Sequence, residues 1–219
     1  MTIEVGADAV SAIWLAGARP DAALVLAHGA GAGMTHRSME AIAIGLAARG
    51  VATLRFQFPY MEHGSKRPDR PPLAQATVRA AVGAAQRQAA GLPLFAGGRS
   101  FGGRMTSQAE AERPLPGVRG LIFFAFPLHP AGKPSTERAA HLAAIERPML
   151  FLQGTRDALA LPELLRPVAA GLGPRARLVE VEGADHSFHV PARSGRTDSE
   201  VLAHILDAAS DWIGIQLRA

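Results

Sequence analysis

Ser100, Asp157 and His186 occur in that order, each just past a stretch that reads as a strand. Ser100 lies in Leu94-Phe-Ala-Gly-Gly-Arg-Ser-Phe-Gly-Gly-Arg104, where the apolar run breaks at Gly97-Gly98 and a helix-compatible stretch to Glu112 follows. Gly-x-Ser-x-Gly at a strand-to-helix turn exposes a serine hydroxyl ahead of a helix, whose free amides and positive dipole end face the reacting atom. Glycines at 98 and 102 remove side chains that would clash where the backbone doubles back. Alone the motif is weak, because a plain tight turn uses the same glycines. The surrounding residues decide.

A serine nucleophile needs a base, and the base needs an orienter. In Gly183-Ala-Asp-His-Ser-Phe188, His186 is the candidate base, taking the Ser100 proton and returning it to the leaving group. His189, three residues on, is its rival. Asp157, in Gln153-Gly-Thr-Arg-Asp157, is the candidate orienter, able to accept from the imidazole Nδ1–H. Asp185 is a poor orienter, since adjacent side chains rarely turn ring and carboxylate toward each other. The loop His28-Gly-Ala-Gly-Ala-Gly33 offers closely approachable amides, one of which would hold an oxyanion together with the amide of Phe101. Its residues argue against a nucleotide loop. It lacks the Lys-Ser/Thr of a phosphate loop, and Met34 stands where a dinucleotide fingerprint needs its last glycine.

Positioning these groups falls to strands that alternate with helices. Residues 22–28, 51–58, 94–98, 118–126, 148–153 and 177–182 read as strands, most of them continuous apolar runs suited to a parallel sheet covered on both faces. Residues 9–15 read as an early edge strand, and 59–72 as a proline-rich loop. Helical spacing appears at Met39, Ile42, Ala43, Leu46 and Ala47, at Ala74, Val78, Ala81, Val82 and Ala85, and over 161–172. The last helix opens on a capping box, Thr197-Asp-Ser-Glu200, with Leu202, Ile205, Leu206, Ala209 and Trp212 as its buried stripe. The expected architecture is a doubly wound, mostly parallel α/β sheet in one domain, 1–219. In such sheets ligands sit beyond the carboxyl ends of the strands, where the candidate residues fall.

Composition narrows the remaining classes. With no cysteine there is no disulfide framework, no thiol nucleophile and no cysteine metal site. No apolar run approaches 18 residues and no basic, then apolar leader opens the chain, so a cytoplasmic protein without a membrane span is expected. The pI near 10.5 arises because 21 of 23 basic residues are arginine, while the formal charge is only +4. The arginines are scattered, which argues against a nucleic-acid partner. The residue set calls for no metal and no cofactor.

On His28-Gly-Ala-Gly-Ala, Gly97-Gly-Arg-Ser-Phe-Gly-Gly-Arg104, Leu152-Gln-Gly-Thr-Arg-Asp157 and Gly183-Ala-Asp-His-Ser-Phe188, the chain resembles the compact, dienelactone-hydrolase-like branch of the α/β-hydrolase superfamily. Within it, the likeness is closest to small predicted serine hydrolases related to a scaffold subunit of a histone acetyltransferase complex. The resemblance runs from about residue 22 to the end. It implies an α/β-hydrolase fold, Ser100 as nucleophile, His186 as base, Asp157 as orienter, and oxyanion donors at Ala30 and Phe101. Dienelactone hydrolases proper use a cysteine nucleophile, so serine here argues against that specific activity.

About twenty residues, 127–147, separate two strands, too few for a sizeable lid domain. The expected site is shallow and open, roofed by 59–72 and 128–135, with His28, Gly29, Phe58, Tyr60, Met61, Phe101 and His129 as candidate walls. It suits a small acyl ester or thioester. Arg99, beside the nucleophile, is expected to pair with a structural carboxylate. The alternative is a catalytically silent binding or scaffold protein on the same fold, although the full set of three residues favours chemistry. Oligomeric state is not legible.

Overall fold

The computed structural model describes residues 1–89 and 91–218. Among these residues eight strands form one sheet: β1 (Thr2–Val5), β2 (Asp8–Leu15), β3 (Ala22–Ala27), β4 (Val51–Phe56), β5 (Leu94–Arg99), β6 (Val118–Phe124), β7 (Met149–Gly154) and β8 (Ala176–Val181). Their order is β1-β2-β4-β3-β5-β6-β7-β8, with β1 and β2 antiparallel additions to a parallel set. This is the α/β-hydrolase fold, as expected. Among the described residues six α-helices accompany the sheet: α1 (Arg37–Ala47), α2 (Pro59–Glu62), α3 (Pro71–Gln88), α4 (Phe101–Glu112), α5 (Pro162–Gly171) and α6 (Asp198–Arg218).

The inner parallel strands are largely apolar because both of their faces are covered, whereas the edge strand β8 alternates and is mostly half-buried. Along β3, Ala22, Leu24 and Leu26 pack with the α1 and α6 side, while Ala23, Val25 and Ala27 pack on the α3 and α4 side. The period of two therefore feeds two cores instead of one core and solvent. Phe123 and Phe151 meet at 4.9 Å between ring centroids in the second of these layers. Each such fully buried side chain contributes about 1.5–3 kcal/mol.

Three expectations change. The 9–15 strand is not an edge, because β1 covers it: Ile3 and Val5 alternate inward, and Gly6, at φ 62°, makes the turn. The 59–72 segment is not all loop, since Pro59–Glu62 forms one helical turn with proline at its start. In α6 Val201, rather than Leu202, is fully buried, with Leu202 packing at the margin. The capping box is present as read: the Glu200 amide donates to Thr197 Oγ1 at 3.2 Å and the Thr197 amide to Glu200 Oε2 at 2.7 Å. Among the described residues no helix is long and apolar enough to cross a membrane.

Chain order around β3 positions the site. From β3 the chain passes through α1 to β4 on one side, then returns through α3 to β5 on the other. The loops leaving β3 and β5 thus diverge from adjacent strands and open a crevice at the switch point.

Candidate active site

Ser100 sits in that crevice with φ 50° and ψ −116°, a conformation that L-residues rarely adopt. Its surroundings leave no room to relax. A Cβ at Gly98 would collide with the Ala27 carbonyl, and one at Gly102 would meet the backbone of Ala27 and His28. The strand, the turn and α4 are thereby pressed against β3, and the Ser100 side chain is presented beyond the sheet. The Arg104 amide makes the first intrahelical bond, to Ser100 O at 3.1 Å, so the amides of residues 101–103 have no acceptor within α4.

Asp157 and His186 approach on the loops after β7 and β8. These loops are stitched together: Arg156 N donates to Ala184 O at 2.8 Å, and Gly183 N to Thr155 Oγ1 at 2.8 Å. Asp185 shapes the second loop by accepting from Ser187 N at 2.7 Å and His189 N at 3.0 Å. That occupation, rather than a bond to His186, is its role. His186 Nε2 stands 2.8 Å from Ser100 Oγ, and its Nδ1 stands 2.7 Å from Asp157 Oδ2. With the proton on Nδ1, the ring donates to the carboxylate and accepts from the hydroxyl.

Asp157 is fully buried and accepts two further bonds, from Gln153 Nε2 at 2.5 Å and from Leu159 N at 2.8 Å. Three donors offset the cost of burying the charge. The rival base is elsewhere. His189 is exposed and ion-paired with Asp198 at 2.8 Å, which raises its pKa.

A cleft of about 360 Å³ opens over Ser100 and is lined by Ala30, Phe101, Pro68, Asp69, Pro71, Pro127 and Leu159, with Arg104 and Arg138. A somewhat larger depression, about 440 Å³ between Glu110 and Pro148, holds none of the candidate residues. Several expected walls stand behind the cleft instead. His28, Phe58, Tyr60 and His129 are buried, Met61 packs on the core, and Gly29 is not part of the lining.

His28 donates from Nδ1 to Gly29 O at 2.7 Å and accepts the Phe58 amide on Nε2 at 3.1 Å; burial lowers its pKa to about 4, so it is neutral. His129 repeats the arrangement, with Nδ1 on Pro130 O at 2.9 Å and Nε2 accepting from Leu161 N at 3.3 Å. Tyr60 donates to Ala30 O at 2.9 Å, and burial raises its pKa to about 12. These side chains brace the loops that carry the cleft.

The roof also differs. Residues 68–71 contribute as expected, but Arg138 and Leu159 replace the 128–135 segment. Arg99 turns away from the cleft, and its Nη1 donates to Ser38 Oγ at 2.9 Å, not to a carboxylate. Gln153, Arg104 and Arg138 escaped the sequence reading. Only the position of Arg104, four residues after the serine and so one helical turn away on the same face, was a usable signal.

A mostly parallel sheet without a lid domain, carrying a serine at the turn after its central strand, defines an α/β-hydrolase. Residues 20–214 match the model of the family described as alpha/beta hydrolase domain, and the chain belongs to that family. Solved structures agree on the fold. A dienelactone hydrolase from Anabaena variabilis is 21% identical with a TM-score of 0.78, over 97% of this chain and 94% of that one. Est1E from Butyrivibrio proteoclasticus, with ferulic acid bound, is 17% identical with a TM-score of 0.79, and both chains are covered in full. A serine hydrolase without lid from Xanthomonas campestris is 19% identical with a TM-score of 0.76, over 97% and 93% of the two chains.

Proposed function

We propose that this chain is a single-domain serine hydrolase, 1–219, that cleaves a small carboxylic ester or thioester through an acyl-enzyme on Ser100. The observation that carries the reading is the continuous chain of bonds from Ser100 Oγ through His186 to Asp157, at 2.8 and 2.7 Å. His186 Nε2 takes the hydroxyl proton as Ser100 Oγ attacks the acyl carbon, and Asp157 stabilises the imidazolium. The developing oxyanion is received by the amides of Ala30 and Phe101, whose residues share the cleft with Ser100. His186 then gives the proton to the departing alcohol or thiol. Water attacks the acyl-enzyme by the same route, and the acid leaves. No metal or cofactor takes part in this scheme. We place the enzyme in the cytoplasm, in keeping with a chain free of cysteine.

Intact-mass analysis after fluorophosphonate treatment tests the reading. Wild type should gain one adduct, and Ser100→Ala and His186→Ala should gain none. Absence of an adduct in wild type, under conditions that label a control esterase, would turn the search toward a silent binding protein.

A further inference from the structure

We propose that the substrate of this cleft carries an anionic group, a carboxylate or phosphate, held by Arg104 and Arg138; the inference rests on the hydrolase reading for which cleft receives the substrate. Both side chains line the space over Ser100. Among the described residues neither guanidinium forms a salt bridge, whereas Arg49, Arg79, Arg147 and Arg166 each have a carboxylate partner. Arg104 is held without using a donor: its Cζ lies 6.0 Å from the centroid of the Phe101 ring. Its Nε is shut off from water and has no acceptor. A charged donor left unsatisfied in this way is costly.

The surroundings favour the same ligand. Burial lowers the pKa of both arginines, and for Arg104 the charge of Arg138 adds to the effect. Two like charges facing one space repel until an anion bridges them. His141, which the Arg104 charge reaches, is neutral: burial and then that charge bring it to about 4, and its Nε2 is engaged with Ser107 Oγ at 2.8 Å. Among the described residues the one carboxylate lining the cleft is Asp69, which accepts the Tyr60 amide at 3.2 Å.

Calorimetric titration of the Ser100→Ala protein tests this without turnover. Monomethyl succinate should bind about ten- to a hundredfold more tightly than dimethyl succinate. Arg104→Gln or Arg138→Gln, added singly, should bring that ratio toward one, and Arg104→Lys should retain part of it. Methyl phosphate titrated in parallel separates the two sources of charge, since the group that loses more affinity in the glutamine variants is the one the cleft holds. A monoester ratio near one together with no binding of methyl phosphate, or anion binding untouched by both glutamine variants, overturns the proposal. Fluorophosphonate labelling of wild type alongside either of these results keeps the hydrolase and removes the anion site. An anion preference without labelling does the reverse.

Discussion

Asp157 takes more donors than orienting one imidazole requires, and this makes it the residue whose replacement says most. Its Oδ2 faces both His186 Nδ1 and Gln153 Nε2, and its Oδ1 faces Leu159 N. An asparagine would present an amide N–H where the imidazole needs an acceptor. His186 would then hold its proton on Nε2 and donate to Ser100 instead of accepting from it. Asp157→Asn should therefore lower kcat on p-nitrophenyl acetate by roughly 10³–10⁴-fold. A loss smaller than tenfold would mean that Asp157 does not set the tautomer. Ser100, Asp157 and His186 were legible because order and apolar context mark them, whereas Gln153 carries no such mark four residues upstream. His28 and His129 were read as walls of the cleft. Their ring nitrogens are instead spent on one carbonyl and one amide each, a pairing that only the fold creates.

At the scale of elements, the turn into α4 and the body of α3 make opposite demands on glycine. In α4, a Cβ at Gly102 would meet Ala27 C at 2.6 Å, backbone that has no room to yield. In α3, a Cβ at Gly83 would meet only the tip of Arg87, at 3.7 Å. The same substitution should then have opposite signs. Gly83→Ala should stabilise by about 0.5–1 kcal/mol through helix propensity and a less flexible unfolded chain. Gly102→Ala should destabilise by about 2 kcal/mol or more, as overpacking exceeds propensity. Urea denaturation of both proteins decides, and a shared sign would show that contact with β3 is not what fixes Gly102. The doubly buried strands were legible because their apolar runs are long enough to exclude solvation. β1 was not, because four residues with two inward apolar side chains look the same in a strand or a loose terminus, and pairing with β2 alone defines it.

Across the whole molecule, neutral histidines fasten separate parts of the fold, and this gives stability a pH dependence that composition does not suggest. His28 ties the loop after β3 to Phe58, beyond β4, and His141 ties the segment Glu137–Ala144 to Ser107 on α4. Both are held near pKa 4 by burial, against about 6.5 in an unfolded chain. Between those values the unfolded state binds the extra protons, so these two contributions are complete above pH 6.5 and are lost as pH falls toward 4. For the fully buried His28 the loss is on the order of 3 kcal/mol, and the half-buried His141 loses less. Asp69 and Glu110, raised by burial, act in the opposite sense, as does the exposed His189. A single curve therefore mixes signs, and the variant isolates one of them. Urea midpoints of wild type should drop from pH 7 to pH 4.5, and the drop should be clearly smaller in His28→Gln, with a lesser flattening in His141→Gln. Parallel wild-type and His28→Gln curves would locate the acid sensitivity outside the bracing of the cleft loops. A flattened curve would tie the stability of the whole fold to the imidazole that holds the candidate oxyanion loop in place.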